Sequence, residues 1–184
     1  MAFGKPIDAL FSEFSMPIAA ASIAQVHRAI THKGETLAVK VLRPGVRARF
    51  RRDLAAMAYA AETMEALSAE ARRLKFVDVV ETLARSVTME MDLRLEAAAL
   101  SEMAENTKED AEFRVPSVNW DLTAREVLTM EWIDGIPLHD IEQIVAQGHD
   151  RIALGRIVIQ SFLRHALRDK SIGKIIKRIR GQCC

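Results

Sequence analysis

From Ile23 to Ile30 the chain alternates apolar and polar positions through Ala24, Gln25, Val26, His27, Arg28 and Ala29. A period of two predicts a β-strand. Thr31-His32-Lys33-Gly34 follows as a turn, and Thr36 to Leu42 reads as a short apolar strand that stops before the breaker Arg43-Pro44-Gly45. The two strands form a predicted hairpin, and the small residues Ala19-Ala20-Ala21-Ser22 open its first strand. Lys40 interrupts the second strand. Lysine is rarely buried without a partner, so Lys40 either reaches the strand edge or meets an anion.

On either side of the hairpin the pattern turns helical. Ile7, Leu10, Phe11 and Phe14 share one face of a short amphipathic turn or helix. A helix is predicted from about Val46 to Leu67, with alanines through its middle and Arg47, Arg49, Arg51 and Arg52 at its start. That basic start opposes the helix dipole. It is a solvated face or a contact for an acidic partner or lipid headgroup. A second long helix spans about Phe76 to Asn106. Phe113 to Val118 and Glu126 to Ile133 read as two strands joined by Asp121 to Arg125, with Trp132 read as core. A short helix over Ile141 to Ala146 ends at Gly148. Asp150 caps a last helix, Arg151 to about Leu167, whose core face is Ile152, Ile159, Phe162, Leu163 and Ala166. His165 is read as structural or surface.

Composition narrows the function classes. The chain has 184 residues, 49% of them hydrophobic, which suits one folded domain with a real core. A net charge of +1 and 5% aromatic residues leave little for nucleic-acid binding. The two cysteines, Cys183 and Cys184, are adjacent and offer neither a disulfide framework nor zinc spacing. No apolar run is long enough to span a bilayer, and no signal peptide is apparent.

The hairpin can be laid over the phosphate-covering loop of protein kinases, G-x-G-x-x-G-x-V followed by V-A-I-K. Ala19, Ala21, Ala24 and Val26 fall on the glycines and valine, and Lys40 falls on the lysine. The wording P-I-A-A-A-S-I-A-Q-V-H, then A-V-K-V-L-R-P-G-V, resembles the UbiB/ABC1/ADCK atypical kinases, whose nucleotide loop is alanine-rich. The resemblance implies an α+β fold: a kinase-like N-lobe with a small antiparallel sheet, long family-specific helices and only the first helices of a C-lobe. It implies binding of ATP or ADP, with magnesium, by Ala19, Ala20, Ala21, Ser22, Ala24, Val26, Lys40 and Glu96. Glu96, in the R-x-E-A-A context, matches the helix glutamate that pairs with the strand lysine. Glu90 and Asp92 match the family's E-x-D motif. Glu131 and Ile133 fall where hinge backbone meets adenine. The implied setting is ubiquinone biosynthesis, with proteins of that pathway and a membrane lipid surface as partners. The implied location is the cytoplasm or the periphery of the inner membrane.

The resemblance stops near Asp169. The family's catalytic loop and D-F-G motif are expected after that point, and residues 170–184 carry neither. Residues 1–169 therefore read as a partial ABC1-type domain and 170–184 as a divergent basic tail. The family's upstream K-x-G-Q motif is also missing from the N-terminal part, so the chain is expected to begin inside the family domain. Without that partner region, Glu90 and Asp92 are expected to be exposed or to bind metal weakly; no catalytic or metal residue is assigned. Without the Asp and Asn that position the nucleophile and hold magnesium, this chain is expected to be catalytically incompetent. The abrupt change suggests a truncated or frameshifted product. Its rival is a functional tail: Arg164 to Arg180 carries seven Lys/Arg against one Asp, and Ile172, Ile175, Ile176 and Ile179 fall on one helical face. A non-catalytic binding or scaffold module, contacting a membrane or a partner, is the alternative function.

Overall fold

The computed structural model describes residues 3–168. The expectations for the basic tail 170–184 lie outside the described residues. The chain divides into two compact units, Met1–Glu102 with Pro116–Trp132, and Met103–Val115 with Ile133–Cys184.

The first unit is built on a four-stranded antiparallel sheet in the order β1 (Phe11–Ala20), β2 (Ala24–Thr31), β3 (Thr36–Leu42) and β4 (Val127–Glu131). The β2–β3 hairpin matches the alternation in the sequence, with Val26 opposite Lys40 and Arg28 opposite Ala38. One strand was not foreseen. Only Ile7–Ala9 forms a 3-10 turn, and Phe11 to Phe14 belong to β1 rather than to a helix. The alanine run therefore does not open β2. Ala19 and Ala20 end β1, opposite Val26 and Gln25, and Ala21 to Ile23 make the turn between the strands. An i, i+3 spacing suits a helix, and Phe11 and Phe14 reach the same face of β1 only because the register shifts between Phe11 and Glu13.

Alternation divides the sheet's residues between two faces. On one, Phe11, Ala29, Leu37, Val39 and Val127 form a core with Phe3, Leu10, Phe14, Val41 and Leu122 against it. On the other, Ala24, Leu42 and Leu128 pack with Val46, Met91, Leu93 and Ala97. Those last residues come from the helical segment that follows β3, made of α1 (Val46–Leu67), α2 (Ala69–Leu74), α3 (Phe76–Glu90) and α4 (Leu93–Asn106), with Met91 just after α3. Gly45 enters α1 with φ +73°, a left-handed conformation that glycine adopts without penalty. Ser68 ends α1 and caps α2, its hydroxyl accepting from the Ala71 amide at 3.3 Å.

The predicted helix from Phe76 to Asn106 is broken at Met91-Asp92. The Leu93 amide donates to the Arg125 carbonyl at 3.0 Å instead of continuing the helix. The Asp92 carboxylate accepts from the Arg94 amide at 3.2 Å, as aspartate does at a helix start. The predicted strand Phe113–Val118 is likewise not formed. Pro116 has no amide proton to give a ladder, and pairing reduces to one bridge between Val118 and Met130. β4 is as expected, and its fully buried Thr129 donates from its hydroxyl to the Leu122 carbonyl at 2.6 Å.

In the second unit α5 (Ile141–Ala146) precedes Gly148, and α6 (Arg151–Arg168) starts after Asp150, whose carboxylate accepts from the Ile152 amide at 2.8 Å. Both helices follow the sequence expectation. The expected core face of α6 does not: Ile152 is 76% exposed, Ile159 61%, Phe162 51% and Leu163 49%. Ala166 lies outside the described side chains. Ser161 and His165 are the buried positions instead. His165 lies 3.2 Å from the Asp110 carboxylate, and the Phe113 ring meets it edge-on at 4.5 Å. Arg164 also donates to Asp110, at 3.0 Å. His165 is thus structural, as its lone position on a helix suggested.

Candidate functional site

Lys40 lies on the sheet face that packs against α4, and α4 is held there by its own apolar side. Leu93 is 1% exposed and Ala97 0%, and both pack with Leu128 and Leu42. Glu96 lies on the first turn of α4 and meets Lys40. The Lys40 Nζ donates to both carboxylate oxygens, at 2.8 and 2.9 Å. The ion pair expected from the resemblance is therefore formed, over 56 residues of sequence. An ammonium has three protons, and Glu96 takes two. The Lys40 side chain is 20% exposed, so it can also meet an anion from solvent.

The alanine turn stands next to this pair, since Ala19 lies opposite Val26 and Val26 opposite Lys40. Ala19, Ala20, Ala21 and Ser22 are exposed, whereas Ala24 is 2% exposed and belongs to the core under α4. Val26 is half-buried. The turn is pinned twice: the Ala21 amide donates to the Ala24 carbonyl at 2.9 Å, and Arg43 Nε donates to the Ala21 carbonyl at 3.0 Å. The structure thus brings together a small-residue turn, a paired lysine on the adjoining hairpin and a helix glutamate.

The family model described as ABC1 atypical kinase-like domain matches residues 1–173. The chain belongs to the ABC1 atypical kinase-like family. It is 40% identical over 167 residues to a protein named probable protein kinase UbiB from Azotobacter vinelandii, covering 90% of this chain and 31% of that protein. A protein of the same name from Marinobacter nauticus is 37% identical, over 90% of this chain and 30% of its own length. The chain thus spans about a third of these relatives. Among solved structures, Rv3197 of Mycobacterium tuberculosis, determined in complex with erythromycin, aligns at a TM-score of 0.59 and 36% identity. That alignment covers 72% of this chain and 33% of Rv3197. The fold is the α+β, kinase-like N-lobe expected.

Within this ABC1 lobe the remaining expected positions separate. Glu90 is the exposed last residue of α3. Asp92 sits in the break between α3 and α4 and is turned to arginines: Arg94 donates to its carboxylate at 2.9 and 2.7 Å, and the Arg125 guanidinium lies 3.7 Å away. The Arg94 hydrogen bonds hold the Asp92 carboxyl below the usual carboxylate range; burial opposes them, and Arg125 adds a smaller pull. Asp92 is thus engaged and 15% exposed rather than open to solvent. Among the described residues no three His, Cys, Asp or Glu side chains converge as a metal site. Glu131 ends β4, where its amide donates to the Ser117 carbonyl at 2.8 Å. Ile133 is exposed and belongs to the second unit. No helix among the described residues is long and apolar enough to cross a membrane.

Three arginines at or near the site escaped the sequence. Arg43 fixes the alanine turn, although its R-P-G context signals only a breaker. Arg47, in the basic start of α1, donates to the Met91 carbonyl and lies 3.0 Å from the Glu126 carboxylate. It therefore ties the α3–α4 break to the turn before β4. Arg28 holds its guanidinium 5.9 Å from the centre of the Trp132 ring. None of the three carries a local signal, because each partner is distant in sequence.

Proposed function

We propose that this chain is the nucleotide-covering lobe of an ABC1-type protein that supports ubiquinone biosynthesis. ATP or ADP lies under the β1–β2 turn. Lys40 donates its remaining N–H to the phosphates, and Glu96 holds the ammonium in place. Ala19, Ala20, Ala21 and Ser22 cover the phosphates with backbone and with side chains too small to obstruct them, while Val26 lies against the nucleotide. Glu131, and by resemblance alone Ile133, mark the backbone that meets the base. Magnesium arrives with the nucleotide. The 184 residues contain no Asp-Phe-Gly triplet, so no residue here is assigned to phosphoryl transfer.

The observation that carries this proposal is the two-oxygen contact of Glu96 with Lys40. Calorimetric titration of ATP and ADP tests it. Wild-type chain should bind, and Lys40→Ala should bind at least about tenfold more weakly, the size of one lost charge-assisted hydrogen bond. Absence of binding by the wild type would end the proposal.

A second function rests on the exposed apolar residues of α1 and α3, where Tyr59 is 74% exposed, Leu67 83% and Val79 58%. These helices would contact a protein partner or the periphery of the inner membrane. Flotation with anionic vesicles tests the membrane form, and a chain that stays at the bottom of the gradient excludes it.

A further inference from the structure

The site has a direction. Cross-strand partners share a face, so Val26, Lys40 and Leu128 form one row across the sheet, and Arg28, Ala38 and Met130 form the next. The rows are two residues apart, about 7 Å. On the other side of Lys40 the face is closed, because Leu42 and Ala24 are buried under α4. A nucleotide with its phosphates on Lys40 can therefore extend its base only along β3 toward Ala38. There the sheet offers a dent. Ala38 contributes one methyl group, between the longer side chains of Arg28 and Met130. Arg28 is drawn across this end of the face by Trp132, two residues beyond Met130. It also borders an open cleft of about 340 Å³ with Glu13, Phe14, Ser15 and Ile30.

From this juxtaposition we infer that the Arg28–Trp132 pair is the wall that selects the base, and that it favours a purine. A guanidinium is planar and stacks on aromatic faces, and a purine offers a larger face than a pyrimidine. Arg28 is exposed and lies outside both cores, so its removal leaves the fold standing. The inference rests on the nucleotide site proposed above and refines it.

Titrating ATP, CTP and inorganic tripolyphosphate into the same chain tests both levels. Wild type should prefer ATP to CTP. Arg28→Ala should lose about tenfold or more in ATP affinity, the range base stacking supplies, with tripolyphosphate binding unchanged. Trp132→Leu should show the same selective loss, and Trp132→Phe should recover most of it. Lys40→Ala, in contrast, should weaken ATP and tripolyphosphate together. If Arg28→Ala leaves ATP binding intact, or weakens tripolyphosphate equally, the wall is overturned while the Lys40 site stands. If wild type binds neither ligand, the nucleotide site falls and the wall with it.

Discussion

The two faces of the four-stranded sheet solve different problems with alternate residues of the same strands. One face is mainly an apolar core, with Phe11, Ala29, Leu37, Val39 and Val127 at 8% exposure or less. The other is closed only at one end, by α4 over Ala24, Leu42 and Leu128. At its open end stand a methyl group at Ala38, a charge at Lys40 and a guanidinium at Arg28. Adjacent positions on β3 thus divide between the core and the proposed site. Val39 is 2% exposed and belongs to the core cluster of that face, while Lys40 is tied to a carboxylate. Charge and small size cost a strand cohesion, and the opposite face supplies it.

Substitutions can break that division, starting with the largest effect. Leu93→Ala removes a fully buried side chain from the closed end of the site face. It should cost about 3 kcal/mol, read as a lower urea midpoint. Val39→Ala should cost about 2 kcal/mol while leaving ATP affinity within a factor of about two. A large loss of affinity in that variant would show that the two faces are coupled. Glu96→Gln sharpens the contrast from the other side. It keeps the shape of the side chain and removes the charge, so stability should change by about 1 kcal/mol or less. Binding of ATP should nevertheless weaken, because the ammonium loses the carboxylate that positions it.

The smallest effect concerns acid. Asp92 is held below the ordinary carboxylate range by Arg94, so the folded chain favours the ionised form. Its contribution is fully present above about pH 4 and is lost as the pH falls through the lowered value. Asp92→Asn should lower stability slightly at neutral pH, leave it nearly unchanged in strong acid, and so flatten the acid limb of stability against pH. An unchanged acid limb would mean that Arg94 contributes nothing to folding.

Local patterns revealed most of the elements and little of their partners. Val46–Leu67, Ile141–Ala146 and the β2–β3 hairpin follow directly from periodicity and breakers. β1 was hidden because a register shift between Phe11 and Glu13 breaks its alternation and leaves a helix-like spacing. The break at Asp92 was hidden because good helix formers surround it, and its cause is the Arg125 carbonyl more than thirty positions away. α6 shows the same limit in another form: its apolar stripe was legible, yet its exposed residues show that periodicity names a face without naming what covers it. At the site, Lys40 and Glu96 were legible through motifs. Arg28, Arg43 and Arg47 were not, because long flexible cations find partners only once the chain has folded.

The bond from the Leu93 amide to the Arg125 carbonyl has a consequence for time as well as shape. It is the first link between α4 and the turn before β4, three residues ahead of Glu96. Any swing of α4 that pulls Glu96 from Lys40 must let that amide go. The proton on Leu93 is then a clock for the site: its exchange with solvent deuterium should count how often the pair opens, and a nucleotide bound as proposed should slow it.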